Sequence, residues 1–357
     1  MKLLLFNLAV DERDQALGFS AEWIEGLARR MERIRVITMR EGEYSMPPNV
    51  SVLSVGGERG YSEPRRALVF YRHLFETLRE ERPEACFSHM NQVFSALAGP
   101  ALRIERIPLF TWYVHRQGSG WLRAAHFFSD GILTSSNNSY PYKSSKVLIC
   151  GHGINTELFS PAKEPCPREL PLLISVGRLS PIKNHGLLIE ALKILKNRGI
   201  NFKAAFIGDE PGVSSSYTEG LKEKIRRLGL EGEVELVGSI ERRALAEWYR
   251  NCSVHLNASP PGLFDKSALE AMSCGKPSLV CNEDFSKTMG IYSSRLIFRQ
   301  NDARDLAEKM EALLKLSSEK LEEMGIYLRN RVVELHGLDR LMDKLVEVFS
   351  SAVRHRR

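Results

Sequence analysis

Short apolar runs alternate with segments of helical periodicity through the first half of the chain. Strands are predicted at Leu3–Val10, Arg35–Thr38, Val50–Val55, Ala85–Ser88, Leu109–Val114, Gly131–Ser135 and Lys146–Ile149. Helices are predicted around Ser20–Met31 and Pro64–Glu81. This alternation is typical of a parallel sheet covered by helices.

The second half repeats the pattern after a proline-rich segment at 161–171, whose composition is typical of a linker. Strands are predicted at Leu172–Val176, Lys203–Ile207, Glu233–Val237, Val254–Ala258 and Pro277–Val280, and helices at His185–Arg198, Tyr217–Leu228, Arg242–Arg250 and Ser267–Ser273. After Asp302 the pattern is purely helical. We therefore predict two α/β domains, 1–160 and 172–335, followed by a C-terminal helical segment, 336–357.

A basic segment follows the first strand of the second domain. The apolar run LLISVG ends on Gly177, and Arg178 and Lys183 lie just beyond it, five residues apart. Open α/β proteins bind ligands at the carboxyl ends of parallel strands. Two cations at such an edge suit a diphosphate better than a carboxylate. Further on, Glu270 is a lone carboxylate in an apolar helix, and it could accept hydrogen bonds from ribose hydroxyls. These features predict a nucleotide-diphosphate site.

The segments GRLSPIKNHGLLIEA and LEAMSCGKP resemble the signatures of the retaining family 4 glycosyltransferases. The resemblance implies the GT-B fold, with two Rossmann-like domains facing each other across a cleft and a last helix that crosses back to the first domain. It implies that Arg178 and Lys183 hold the donor diphosphate after Gly177, and that Glu270 holds the nucleotide ribose.

The same resemblance suggests further site residues. On the donor side these are Gly18, Gly208, Asp209, Gly238, Ile240, Phe264, Asp265 and Lys266, and on the acceptor side Asp14, His89, Asn91 and His115. His115, at a predicted strand end, is also a catalytic candidate because a family histidine in a comparable motif contacts the donor. Gly18 has a purely local alternative, a strand-to-helix turn capped by Ser20.

The chain departs from the family at one position. The family carries two glutamates separated by seven residues, and the first of these falls on Gly262. Its carboxylate normally touches the transferred sugar. Asp265 is the candidate substitute, and a helix N-cap is its equally weighted alternative.

Composition narrows the class of protein, its partners and its location. Hydrophobic content of 43% and charged content of 26% are ordinary for a soluble globular protein, and the net charge of +6 does not predict a nucleic-acid partner. The six cysteines form no CxxC pair, so we expect reduced core residues. The apolar start is too short to span a membrane, which favours a cytoplasmic location.

Two segments of unusual charge pattern remain. Arg65, Arg72 and Arg79 recur every seven residues on one helix face, and aromatic residues adjoin cations around Trp121. Both segments could dock peripherally on the anionic inner face of a membrane, although a solvated basic helix and a core-facing helix are the favoured explanations.

We therefore expect a hexosyltransferase that uses a nucleotide-diphosphate sugar, such as a UDP- or GDP-sugar, and a glycan, lipid or small-molecule acceptor. Neither a metal nor another cofactor is predicted, because no aspartate pair stands at a strand end. Two alternatives stay open: a nucleotide-sugar 2-epimerase of the same fold, and a non-catalytic sugar-nucleotide-binding protein that has lost the glutamate at Gly262.

Overall fold

The computed structural model describes residues 1–14, 17–163, 169–212 and 215–356. The middle of the predicted linker, 164–168 with Cys166, lies outside these residues. The chain divides into two units. Unit 1 comprises Met1–Gly153 and Leu338–Arg357, and unit 2 comprises Ile154–Gly337.

Unit 1 contains a seven-stranded sheet. Its strands are β1 (Lys2–Val10), β2 (Arg33–Glu41), β3 (Val50–Ser54), β4 (Ala85–His89), β5 (Leu109–Trp112), β6 (Gly131–Thr134) and β7 (Val147–Ile149). Every pair is parallel, and the order is β3-β2-β1-β4-β5-β6-β7. The helices are α1 (Phe19–Ala28), α2 (Glu63–Glu80), α3 (Gln92–Ile104) and α4 (Gly120–Phe128), and the C-terminal α13 (Leu338–Arg356) completes the unit.

The side chains of β1 explain why helices cover both faces of this sheet. Leu3 and Leu5 pack in a cluster with residues of α1 and α13, whereas Leu4 and Phe6 pack in a second cluster with residues of α2 and α3. Successive side chains of a strand point to opposite faces. A strand with consecutive apolar residues, such as Leu3 to Phe6, is therefore buried on both sides, as in parallel sheets generally.

Helix α3 was missed by the sequence analysis. Pro100 lies inside it, and an internal proline normally argues against a helix. The helix forms because Asn91 caps its first turn, accepting a hydrogen bond from the backbone nitrogen of Phe94 at 3.1 Å, and because its apolar face is buried.

Unit 2 contains a five-stranded parallel sheet in the order β10-β9-β8-β11-β12. Its strands are β8 (Leu172–Val176), β9 (Lys203–Ile207), β10 (Val234–Gly238), β11 (Val254–Asn257) and β12 (Ser278–Val280). The helices are α5 (His185–Asn197), α6 (Ser216–Arg227), α7 (Arg242–Asn251), α8 (Lys266–Ser273), the single turns α9 (Ser286–Met289) and α10 (Ser293–Leu296), and the longer α11 (Ala303–Leu314) and α12 (Ser318–His336). One continuous apolar cluster fills the unit.

The prediction of two parallel-sheet α/β domains is thus confirmed. The helical ending after Asp302 is also present, as α11, α12 and α13. The five cysteines among the described residues are buried and free, as expected.

Candidate nucleotide-diphosphate site

The strand order of unit 2 creates a natural binding position. The chain leaves β8 towards β9 on one side, and β11 pairs with β8 on the other. Loops leave a sheet in opposite directions at such a switch point, which opens a crevice at the carboxyl ends of the strands. The loops after β8 and β11, together with α8, contain seven of the twelve predicted donor-binding residues.

Three glycine turns line up at this edge. Gly177, Gly208 and Gly238 end β8, β9 and β10, with φ of +141°, +136° and +82°. The backbone nitrogen of Gly208 donates to the Gly238 carbonyl at 2.9 Å. A Cβ at Gly208 would lie 2.2 Å from the Gly177 carbonyl oxygen, so no side chain fits there. The positive φ angles and this close approach explain why the turns use glycine.

Lys183 folds back over the first of these turns. It ends a 3₁₀ turn, Pro181–Lys183, and its Nζ lies 3.5 Å from the place where a Cβ at Gly177 would stand. Arg178, directly after that glycine, is exposed. The structure therefore brings the lysine beside the glycine turn and leaves the arginine in solvent at the same strand end.

Asp265 lies opposite Lys183 and binds it directly. The Lys183 Nζ donates to Asp265 Oδ1 at 2.6 Å, and the two side chains are 15% and 17% exposed. The other oxygen, Oδ2, accepts hydrogen bonds from Asn257 Nδ2 at 2.9 Å and from the Ser259 hydroxyl. Burial by itself would raise the pKa of the Asp265 carboxyl. The charge of Lys183 and these three hydrogen bonds outweigh that effect and hold the pKa below its ordinary value.

This arrangement bears on one of the two interpretations of Asp265 drawn from the sequence, the helix cap. The residue does occupy the N-cap position of α8, but within the described structure its side chain makes no capping hydrogen bond. The prediction of a side-chain cap is therefore wrong. A contact with the transferred sugar stays a prediction.

Gly262 has a backbone reason to be glycine. Its φ is +90°, in the region that residues with a Cβ rarely adopt, and it lies in a turn where the Leu263 nitrogen donates to the Pro260 carbonyl at 3.2 Å. A glutamate at this position would strain the loop. A glycine in place of the family's first glutamate therefore suits the backbone conformation of this loop.

Glu270 is buried on α8 and is held by two residues of α7. Its Oε1 accepts from Arg242 Nη1 at 3.0 Å, and its Oε2 accepts from the Tyr249 hydroxyl at 3.1 Å. Burial and the adjacent carboxylate raise the pKa of Tyr249 well above its usual value, so the phenol remains a donor. Arg242 also lies over the Phe159 ring, 4.9 Å from its centroid. The carboxylate is thus fixed and paired.

The other donor-side candidates take varied positions. The exposed Asp209 accepts a hydrogen bond from the Ser239 nitrogen at 3.1 Å, which joins the turns after β9 and β10. Ile240 is half-buried against the core, and Lys266, the first residue of α8, is also half-buried. Phe264 is a core residue, with its ring 4.3 Å from Phe285.

In unit 1, two of the acceptor-side candidates lie in the core. His89 is 3% exposed and stacks on Trp23 with ring centroids 4.4 Å apart, rather than ending its strand in solvent. Asn91 is 2% exposed and uses its side chain to cap α3 and to donate to the Asn7 carbonyl at 3.1 Å. The buried environments correct the expectation that these two polar residues are open to an acceptor.

The remaining unit 1 candidates lie in loops. His115 is exposed, three residues past the end of β5. Asp14 pairs with Arg40 and accepts from the Leu17 nitrogen at 2.8 Å. Gly18 packs so closely on this loop that a Cβ would lie 2.6 Å from the Asp14 carbonyl oxygen. Gly18 itself is the N-cap residue of α1. The Ser20 hydroxyl donates to the Ala9 carbonyl at 2.8 Å instead of capping the helix, so the expected serine cap is wrong.

Several polar residues at this site were not anticipated. Asn257 and Ser259 lie at the end of β11, where polar residues after an apolar strand could have drawn attention. Arg242 and Tyr249 lie on α7, and nothing in the neighbouring sequence marked them as site residues.

Among the described residues no group of three or more His, Cys, Asp or Glu side chains is arranged to hold a metal ion. In the same part of the chain, no helix combines the length and the apolar character that crossing a bilayer requires.

Comparison with known proteins agrees with this geometry. Residues 157–331 match the family model described as glycosyl transferases group 1. The matched residues lie within unit 2 and make up just under half of the chain. The resemblance predicted from the sequence is thereby confirmed at the level of this group.

Curated relatives match over part of their length. A D-inositol 3-phosphate glycosyltransferase of Kribbella flavida is 32% identical over 149 residues, which are 39% of this chain and 35% of the relative. One from Thermomonospora curvata is 28% identical over 193 residues, 52% of this chain and 44% of the relative. The matches therefore span between a third and a half of these relatives.

Solved structures share the fold over nearly the whole chain. Anabaena HepE in complex with UDP-glucose has a TM-score of 0.77 at 16% identity, covering 98% of this chain and all of that one. The sucrose-phosphate synthase of Thermosynechococcus elongatus has a TM-score of 0.78 at 16% identity, covering 99% of this chain and all of that one. Both units thus have the fold of glycosyltransferases, the GT-B fold expected from the sequence.

Proposed function

We propose that this protein transfers a sugar from a nucleotide-diphosphate sugar to an acceptor hydroxyl. The observation that carries the proposal is the position of Lys183, whose Nζ lies over the glycine turn of Gly177 beside the exposed Arg178. The group 1 domain and the UDP-glucose complex of HepE support a nucleotide-sugar donor, and UDP is the first base to test.

The chemistry follows from where charge develops. When the bond between the sugar and the β-phosphate breaks, negative charge builds on the phosphate oxygens. Lys183 and Arg178 would stabilise that charge in the transition state, and the three glycine turns let the backbone approach it closely. We propose that the phosphate oxygen then accepts the acceptor's proton, that the sugar keeps its anomeric configuration, and that a hexose is transferred without a metal ion.

The acceptor is a glycan, a lipid-linked sugar or a small molecule in this proposal, bound through unit 1, where His115 is the exposed candidate contact. Contact with an anionic membrane is part of the same proposal. On α2, Leu68 and Phe75 are 73% and 55% exposed, and the Arg72 side chain between them is 75% exposed. Apolar and cationic side chains on one helix face match the interface of an anionic bilayer.

The membrane contact can be tested with vesicles. Flotation with phosphatidylglycerol-containing vesicles should carry the protein, and Leu68→Ser with Phe75→Ser should abolish it. Ile326→Ser in unit 2 removes a comparable side chain, 56% exposed, and should change nothing. Equal flotation of all variants would contradict the membrane contact.

The transfer activity can be tested with a panel of UDP-, GDP- and ADP-sugars. Release of nucleoside diphosphate in the presence of EDTA is the expected result, and the anomeric coupling constant of the product tests retention. An inverted product, or release that requires added metal, would refute those parts of the proposal. Conversion of the sugar nucleotide to its 2-epimer would support the epimerase alternative instead.

Variants of the two cations test the site itself. Lys183→Ala and Arg178→Ala should each lower kcat about a hundredfold or more, because each removes a charge aimed at the transition state. Lys222→Ala is the matched control, since Lys222 is an exposed lysine of the same unit paired with Glu219. Near-normal turnover in both site variants would rule out this phosphate site.

A further inference from the structure

The ion pair between Lys183 and Asp265 places a fixed negative charge inside the proposed phosphate site. The two residues are 82 positions apart, and the pair forms because β8 and β11 are neighbours in the sheet. It has a donor–acceptor distance of 2.6 Å and little solvent exposure. Charge pairs of this kind interact more strongly than exposed ones, because water screens them less.

The carboxylate is anchored from behind. Asn257 and Ser259 both donate to Asp265 Oδ2, the oxygen that does not contact the lysine. The lysine, by contrast, reaches the pair at the end of a flexible four-carbon chain. If the lysine turns towards a bound phosphate, the carboxylate therefore stays in place.

We propose that Asp265 is the resident counter-ion of Lys183, and that it competes with the diphosphate of a bound nucleotide for that lysine. This inference rests on the proposed function. Binding a diphosphate must either break the ion pair or leave two anions sharing one ammonium group, and each of these weakens binding. Asp265 thus positions Lys183 in the empty site and speeds release of the nucleoside diphosphate product. It is a positioning residue that acts through Lys183.

The test measures binding of UDP and of inorganic diphosphate by titration calorimetry. Asp265→Asn keeps the shape of the side chain and removes its charge, so both ligands should bind about tenfold more tightly, as expected for a close charge pair. The KM for the donor should fall in parallel. Glu190→Gln, which neutralises an exposed acid paired with Lys224 elsewhere in the unit, should leave both affinities unchanged.

A double-variant cycle separates competition for the lysine from general repulsion. In the Lys183→Ala background, the effect of Asp265→Asn on UDP affinity should largely disappear, because there is no ammonium left to compete for. A tightening of equal size in both backgrounds would overturn the proposal and leave only a through-space effect.

Other outcomes are equally decisive. Unchanged or weaker UDP binding by a folded Asp265→Asn protein, with a normal melting temperature, would overturn the inference while the proposed function stands. If that variant unfolds, Asp265→Ser, which also removes the charge, takes its place and should tighten UDP binding in the same direction. Failure of the wild-type protein to bind UDP, GDP, ADP or inorganic diphosphate would refute the proposed function itself.

Discussion

Replacing Arg242 with alanine is the sharpest test of how Glu270 is held. The Glu270 carboxylate is 6% exposed and the Arg242 side chain 29% exposed, with 3.0 Å between Nη1 and Oε1. Removing the arginine leaves a buried anion with Tyr249 as its remaining partner on α7. The variant also loses the contact of the guanidinium with the Phe159 ring.

The expected cost follows from these contacts. Breaking a fully buried ion pair costs about 3–5 kcal/mol. Here the arginine is partly solvated and Tyr249 still donates, so the loss lies nearer the roughly 1.5–3 kcal/mol of a hydrogen bond to a charged group. We expect about 2 kcal/mol, which for a unit of this size lowers the melting temperature by roughly 4–8 °C.

Differential scanning calorimetry measures this effect, and Arg243→Ala is the matched control. Arg243 is the next residue on α7 and is exposed, so its loss changes the same helix without touching Glu270. Arg242→Ala should be far less costly in a Glu270→Gln background, because the buried charge is gone. If Glu270 holds the ribose, Arg242→Ala should also weaken UDP binding. Equal melting temperatures for the two arginine variants would refute the reasoning.

Two predictions concern stability alone. Burial lowers the pKa of His185 to about 4 and of His255 and His336 to about 3. Below pH 6.5 the unfolded chain binds protons at these histidines that folded unit 2 does not. Each histidine should therefore lower the free energy of unfolding by about 1.4 kcal/mol per pH unit as the pH falls from 6.5 towards 4. Urea unfolding at pH 7, 6 and 5 measures this loss of stability. His185→Gln should make the free energy of unfolding depend less steeply on pH. An unfolding midpoint that does not change with pH would contradict the prediction. Gly262→Ala should lower the free energy of unfolding by about 1–2 kcal/mol, because its φ is +90°. Gly232→Ala is the control, since a Cβ there would meet open space, and it should be neutral. Equal denaturation midpoints for the two variants would count against a strained turn.

Much of the fold could be predicted from the sequence because the signals were local. The apolar character of β1 predicted a buried strand, and the Gly177 turn with its two cations predicted a phosphate site at a strand end. Local patterns also misled. Pro100 concealed α3, and the polar residues His89 and Asn91 suggested exposure where the structure has an aromatic stack and a helix cap.

The sequence by itself determined the α/β alternation, the glycine turns and the identity of the two cations of the proposed phosphate site. Only the tertiary structure decided how the charges pair. Asp265 meets Lys183 because the strand order brings the ends of β8 and β11 together, and Glu270 meets Arg242 because α7 packs near α8. Periodicity records which residues are buried, but partners many positions apart are chosen by strand order and helix packing. The ion pair of Asp265, and the role proposed for it, could therefore be recognised only after β8 and β11 were placed side by side.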